Sequence, residues 1–170
     1  DDEESLAGQA DILFVVDNSG SMGGEQASLA ASFSSFITWM AVADVSYHIA
    51  VTTTDVRSGK EQGGFVGSPT IIDNSTPNMV SAFQNTVNVG TSGDAMERGL
   101  EAALMAVEKA SNPASGENQG FLRDAANLYL VWVTDEPDSS DKSIAEYHAS
   151  FLSAKGGDDD KLHYAAIAVP

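Results

Sequence analysis

Residues Ile12-Leu13-Phe14-Val15-Val16-Asp17-Asn18-Ser19-Gly20-Ser21-Met22-Gly23 decide how this chain is read. The apolar run from Ile12 to Val16 has the pattern of a strand buried on both faces, as in a parallel sheet. It ends at the carboxylate of Asp17, and hydroxyls follow at alternate positions, Ser19 and Ser21. Asn18 and Gly20 lie between them, residues that let the backbone turn tightly. A carboxylate and two hydroxyls at the carboxyl end of a buried strand make a set of hard oxygen donors. Such a set suits Mg2+, Mn2+ or Ca2+ and not a soft metal. The same residues also fit a polar strand-to-helix turn in which Ser21 only caps the next helix.

Composition narrows the field. A chain of 170 residues suits one domain with a full core. A formal net charge of -17 argues against nucleic-acid binding, which needs a basic footprint, and against docking on an anionic membrane. It fits a soluble protein in a saline or calcium-rich medium. There is no cysteine, which excludes disulfides, thiolate chemistry and cysteine-ligated zinc. No apolar run approaches the ~20 residues of a membrane span, and no signal-peptide pattern is present. The chain reads as a mature form or as one domain of a larger polypeptide.

Outward from the opening stretch, elements alternate. Residues 1–9 read as an acidic N-terminal tail and 10–170 as the domain. A helix is predicted from about Glu25 to Val42, with Leu29, Phe33, Phe36, Ile37 and Met40 on one stripe. Val45 to Thr54 reads as a strand by alternation, ending at Asp55. Phe65-Val66 and Thr70-Ile71-Ile72 fit either a short edge hairpin or one interrupted edge strand. Ser75-Thr76-Pro77 predicts a helix start with a hydroxyl cap and proline at the first position, carrying Val80, Phe83 and Val87. Residues 88–93 form a loop, and Asp94 opens a longer helix with Met96, Leu100, Ala103, Leu104 and Val107, stopping before Pro113. Leu128 to Val133 is a further buried-strand run, ending in Thr134-Asp135. A charged turn, 136–141, leads into a helix whose Ile144, Tyr147, Phe151 and Leu152 face inward and which Gly156-Gly157 ends. Leu162 to Val169 is the last strand. This alternation predicts an α/β fold with a doubly wound, mostly parallel central sheet, helices on both faces and one antiparallel edge strand. Ligands of such a sheet bind at the carboxyl ends of its strands, where the chain order reverses.

Three strand-ending loops then share a chemistry: Asp17, Ser19 and Ser21 in the first, Val89-Gly90-Thr91-Ser92-Gly93 before a helix, and Asp135 after a buried strand. In this order they resemble the metal-ion-dependent adhesion site (MIDAS) of the von Willebrand factor type A (VWA) family. That site combines DxSxS, a glycine-threonine loop and an aspartate ending a later strand. The wording Ala10 to Met22, Phe121-Leu122-Arg123 and Thr134-Asp135-Glu136 is similar to the bacterial cell-surface and secreted branch. The resemblance implies a Rossmann-like VWA fold with one divalent cation, Mg2+ first and Mn2+ or Ca2+ as alternatives, held by Asp17, Ser19, Ser21, Thr91 and Asp135. It implies a protein or peptide partner whose Asp or Glu carboxylate displaces a water on that metal, adhesion as the role, and an extracellular or cell-surface location. Two departures stand out. The middle loop reads Gly-Thr-Ser-Gly rather than Gly-Thr-x-Thr, so Ser92 competes with Thr91. Thr91, next to the flexible Gly90, is assigned to the metal, and Ser92 to the turn. The family also closes with a helix after the last strand, whereas this sequence stops at Pro170, so that helix is expected to be absent or supplied elsewhere.

Other polar residues have plainer readings. Asp55 fits turn chemistry or capping. Asp138, Ser139 and Asp141 fit a second cation, but acidic residues near a helix's positive end explain them as well. Glu136 is a candidate for orienting Asp135. Asp158 to Asp160 lack EF-hand spacing and read as a solvated run. His48, His148 and His163 are scattered with no HExxH, which speaks against zinc. A serine hydrolase would need a GxSxG elbow, which is absent. Trp39 and Trp132 read as packing residues. A metal-dependent phosphohydrolase using Asp17 would need a lysine or arginine beside the phosphate, and the loops next to the metal are expected to lack one. A non-enzymatic binding module is therefore the expectation. A structural module of a larger adhesin or pilus, or an intracellular scaffold, is the alternative.

Overall fold

The computed structural model describes residues 8–168. The tail assigned to 1–7 and the end of the chain at 169–170, including Val169, lie outside these residues. Gln9, expected in the tail, already belongs to the first strand.

The architecture is α/β. Five strands, β1 (Gln9–Val16), β2 (Ser46–Thr53), β3 (Ile72–Asp73), β4 (Asn127–Thr134) and β5 (Leu162–Ala168), form one sheet in the order β3-β2-β1-β4-β5. The helices are α1 (Gly23–Val42), α2 (Met79–Val87), α3 (Gly99–Ser111) and α4 (Ile144–Ala154). β1 runs parallel to both β2 and β4, and β4 parallel to β5. Among the described residues only the two-residue edge strand β3 is antiparallel. β1 is central: the chain leaves it for β2 on one side and later returns to lay β4 on the other. The chain order therefore reverses at the carboxyl ends of β1 and β4, where such sheets leave a crevice.

The apolar run of β1 is buried on both faces because its side chains alternate between two clusters. Ile12, Phe14 and Val16 pack with Phe33, Ile37 and Met40 of α1 and Phe83 and Val87 of α2. Phe14 meets Phe83 edge to face at 5.1 Å between ring centroids, a geometry worth about 0.5–1.5 kcal/mol beyond area burial. Leu13 and Val15 pack with Ala102, Ala103, Ala106 and Val107 of α3 and Tyr147 and Phe151 of α4. At the amino ends of the strands Asp11 is fully buried and held by Arg123, whose Nε and backbone N–H donate at 2.7 Å each. The same guanidinium donates to Ser46 Oγ and to the carbonyls of Ala10 and Ser46, which ties β1 to β2.

Several local expectations are corrected. α2 begins at Met79 rather than at Ser75-Thr76-Pro77, because the Ser75 and Thr76 hydroxyls are spent on the carboxylate of Asp73. Asn78 then precedes the helix in the left-handed region, which Asn tolerates. α3 begins at Gly99, not Asp94, and Met96 is exposed. The cause is a cap from another element: Asp138 accepts from the Leu100 N–H at 3.1 Å and Ser140 from the Glu101 N–H at 3.0 Å. Gly99 is needed there, since a Cβ would lie 2.8 Å from Trp132 Cδ1. α4 is started by a capping box of Ser143 and Glu146, and Ile144, expected inside, is exposed. Phe65-Val66 forms no strand, although the Val66 N–H reaches the Val51 carbonyl at 2.9 Å. Trp39 is 64% exposed instead of packed. It lies beside an open groove of about 530 Å3, where Phe36 of α1 faces Tyr129 and Val131 of β4 and Ile167 of β5. Among the described residues no helix is long and apolar enough to cross a membrane.

Candidate metal centre

Asp17 continues β1 by one backbone bond, its N–H donating to the Val133 carbonyl at 2.9 Å. That bond places its carboxylate in the crevice between β1 and β4. The side chain is fully buried. The Ser19 N–H donates to Oδ1 at 2.7 Å, and the Thr134 hydroxyl donates to Oδ2 at 2.9 Å. Ser19 and Ser21 bring their hydroxyl oxygens to 3.3 Å of each other, as alternate positions on one turn should. Ser21 does not cap α1: Met22 is the N-cap and makes no side-chain cap bond.

The middle loop is fastened onto this turn. Buried Gln26 donates from Nε2 to the carbonyls of Asp17 and Gly90, at 3.0 and 2.9 Å. The Gly93 N–H donates to the Asn18 carbonyl at 2.7 Å. A Cβ on Gly93 would overlap the Asn18 side chain, so this close approach needs glycine. Thr91 is exposed, with its methyl group 3.8 Å from the position a Cβ would take on Gly23, at the start of α1. It thus stands at the mouth of the DxSxS turn. Asp135 follows β4 directly and keeps one buried oxygen, Oδ1, without a partner. The five residues expected at the metal therefore come from three loops at one end of the sheet.

Thr54, Glu97 and Thr134 were missed from the sequence. Thr54 ends the run of β2, its N–H donating to the Val16 carbonyl at 3.3 Å, and its hydroxyl donates to Glu97 Oε2. Glu97 is only 3% exposed, although it lies in a loop. Burial, reinforced by the nearby negative charges of Asp17 and Asp135 and opposed by the Thr54 hydroxyl, pushes its carboxyl up to about 7. Asp55 is not part of the cluster. Its carboxylate is gripped by Arg57 through Nε at 2.9 Å and Nη2 at 2.5 Å, which holds it below the usual range. Arg57, in the loop after β2, also approaches Asp94 of the middle loop at 3.5 Å. Its charge is matched by two carboxylates. Asp138 and Ser140 are spent on capping α3, and Asp141 accepts from Tyr147 at 3.0 Å.

The residues present fit a hard divalent cation. Asn18 Oδ1, Glu97 Oε1 and Asp135 Oδ1 are buried oxygens without hydrogen-bond partners, and every candidate donor in the cluster is an oxygen. Among the described residues no three His, Cys, Asp or Glu side chains are gathered closely enough to hold an ion by themselves. An ion held here would need the hydroxyls as well as the carboxylates. No protein-family model matches this chain, and no curated protein matches it.

Proposed function

We propose that this protein is a VWA-like, doubly wound domain whose MIDAS-type centre binds a protein or peptide partner in a divalent-cation-dependent way. The observation that carries the reading is the convergence of three loops on buried Asp17: its own turn with Ser19 and Ser21, the middle loop pinned through Gln26 and Gly93, and the end of β4 through Thr134. Asp17, Ser19, Ser21 and Asp135 would hold the ion, with Thr91 at the mouth. A bound Mg2+, Mn2+ or Ca2+ would supply a Lewis-acidic position open to a partner's Asp or Glu carboxylate. The chain's own residues set up that encounter. Thr134 and the Ser19 N–H fix both oxygens of Asp17, so the carboxylate meets the ion in one orientation. Gln26 locks the middle loop to the first, and Gly93 lets it sit close.

The role is binding rather than catalysis, since Arg57, in the loop after β2, is engaged by Asp55 and Asp94, and Arg98, next to Glu97, by Glu101. The likeness to the bacterial surface branch supports adhesion at a cell surface. The test is calorimetry with Mn2+ and Mg2+, followed by binding to a peptide array in which a single Asp or Glu is exchanged for Asn or Gln. Cation binding lost in Asp17→Ala, with peptide binding that needs both the cation and the peptide carboxylate, is expected. Unchanged cation affinity in Asp17→Ala sinks the assignment.

A further inference from the structure

Helix α1 has an uncommon surface for so acidic a chain. Its 20 residues carry one charged side chain, Glu25 in the first turn, although the whole chain has a net charge of -17. α3, with 13 residues, carries Glu101, Glu108 and Lys109. A surface helix needs one apolar stripe for its own core and usually meets water with charged groups on the other side. The α1 stripe of Phe33, Ile37 and Met40 is buried, but the opposite side shows Ala31, Ser35, Thr38 and Val42, all exposed. The Thr38 hydroxyl donates to the Ser34 carbonyl at 2.8 Å, inside the same helix. Beside α1, on the same face of the sheet, Tyr129 and Val131 of β4 and Ile167 of β5 line the open groove together with exposed Trp39. β4 has no charged residue, and β5 has none beyond His163, whose ring stacks on Tyr129 at 4.5 Å.

We propose that this face pairs with the same face of a second copy of the chain about a twofold axis, the α1 of each copy filling the other's groove over β4 and β5. Charge selects the occupant. Two copies of a chain this acidic repel one another, and the repulsion is least where the approaching surfaces carry no charge. In a twofold pair the face meets itself, so α1, β4 and β5 bring almost no carboxylate against its twin. A helix that covers its own sheet on one side and a partner's sheet on the other has no side that needs charge, which is the pattern of α1. Size agrees. A 20-residue helix is about 30 Å long and ~10 Å wide, and two strands add ~10 Å of width. The face then measures about 600 Å2 per copy, or about 1,200 Å2 for the pair, the lower end of a specific interface. The small residues on the outer side of α1 let the partner's backbone come close, and Trp39 supplies a large ring of the kind that anchors such contacts. At ~1.5 Å per residue, Trp39 stands about 24 Å along the helix axis from Gly23. The candidate metal centre lies past that other end of α1, outside the paired face, so the pairing is independent of the cation-binding reading.

Sedimentation velocity of the full chain in chelator, from about 1 to about 300 µM, tests this, because a pairing equilibrium depends on concentration. A monomer–dimer equilibrium is expected, with a dissociation constant of about 10 µM, the weak end for an interface of this area. Raising the salt from ~0.05 to ~0.5 M should tighten it by about threefold, since the like charges of the two copies are then screened. Trp39→Glu and Ser35→Glu each place a carboxylate on the face and, by symmetry, a second one on its twin. Each should weaken the dimer by about 10-fold or more, with circular dichroism unchanged because both positions are exposed in a single copy. Ile144→Glu, at an exposed apolar residue of α4 on the other side of the sheet, should change nothing. A folded wild type that stays monomeric throughout the range overturns the proposal and leaves the groove to a different occupant. A dimer that survives both α1 variants, or that Ile144→Glu breaks, overturns it too, because the contact is then elsewhere. Assembly that continues past two copies points to edge-to-edge growth along β5 instead. Loosening with salt would mean that charge pairs hold the copies together, and is equally fatal.

Discussion

Without a cation, Glu97 should make this protein lose stability as the pH rises toward neutrality. Its carboxyl is pushed up to about 7 from an ordinary value of 4.5, chiefly by burial and then by Asp17 and Asp135. Between those two values the folded chain holds a proton that the unfolded chain has released. The native state therefore binds more protons, and unfolding free energy falls with increasing pH. The stabilising contribution of protonated Glu97 is fully present below pH ~4.5 and is lost as the pH passes through about 7. A displacement of roughly 2.5 units at 1.36 kcal/mol per unit amounts to about 3 kcal/mol. That is a large share of the ~5–15 kcal/mol that holds a typical domain. The assay is urea unfolding in chelator from about pH 4.5 to 8.5, with Glu97→Gln measured in parallel. Other carboxylates titrate in both proteins, and Asp55, held low by Arg57, contributes with the opposite sign at acid pH. The difference between the two proteins isolates Glu97. Wild type should lose about 3 kcal/mol relative to the variant across this range. A difference flat to within ~0.5 kcal/mol would show that Glu97 is not protonated in the fold, and would refute the account of its burial.

Thr134→Val keeps the side-chain shape but removes the hydroxyl bonded to Asp17. Denaturant unfolding should show a loss of about 1.5–3 kcal/mol, the usual worth of a hydrogen bond to a charged group, and that loss should largely disappear in an Asp17→Asn background. Arg123→Met strands the fully buried Asp11 at the opposite end of the sheet. Thermal or urea unfolding should register about 3–5 kcal/mol, with cation affinity in the surviving folded protein unchanged, and a loss below ~1 kcal/mol would mean that Asp11 finds other partners.

Much of the fold could be read because its signals are local. The Ile12–Val16 run and the α1 stripe of Phe33, Ile37 and Met40 report burial directly, and they lie where expected. Edge and boundary positions were not legible, since other elements decide them. Asp94 and Met96 look like a helix start, but α3 begins at Gly99 because Asp138 and Ser140 supply its cap from about 40 residues away. Ser75 and Thr76 look like a cap, but Asp73 takes their hydroxyls. Ile144 keeps the helical spacing and still points outward, because the capping box sets where α4 begins.

The candidate centre divides along the same line. Asp17, Ser19 and Ser21 sit within one turn, so their spacing alone announces shared chemistry. Glu97, Thr54 and Thr134 share no motif, and meet only because β2, β1 and β4 end side by side. In the sequence Glu97 is one acidic residue among 25 in a chain of net charge -17, where a solvated glutamate is the ordinary case. What sets it apart is burial beside two other carboxylates, a property of the assembled sheet edge. Arg57, in the loop after β2, is likewise placed only by the fold, where Asp55 and Asp94 neutralise it. An acidic sequence thus hides a buried loop glutamate among solvated ones. The assembled sheet edge shows it as a buried glutamate, one oxygen of which takes the Thr54 hydroxyl while the other, Oε1, has no hydrogen-bond partner among the described residues.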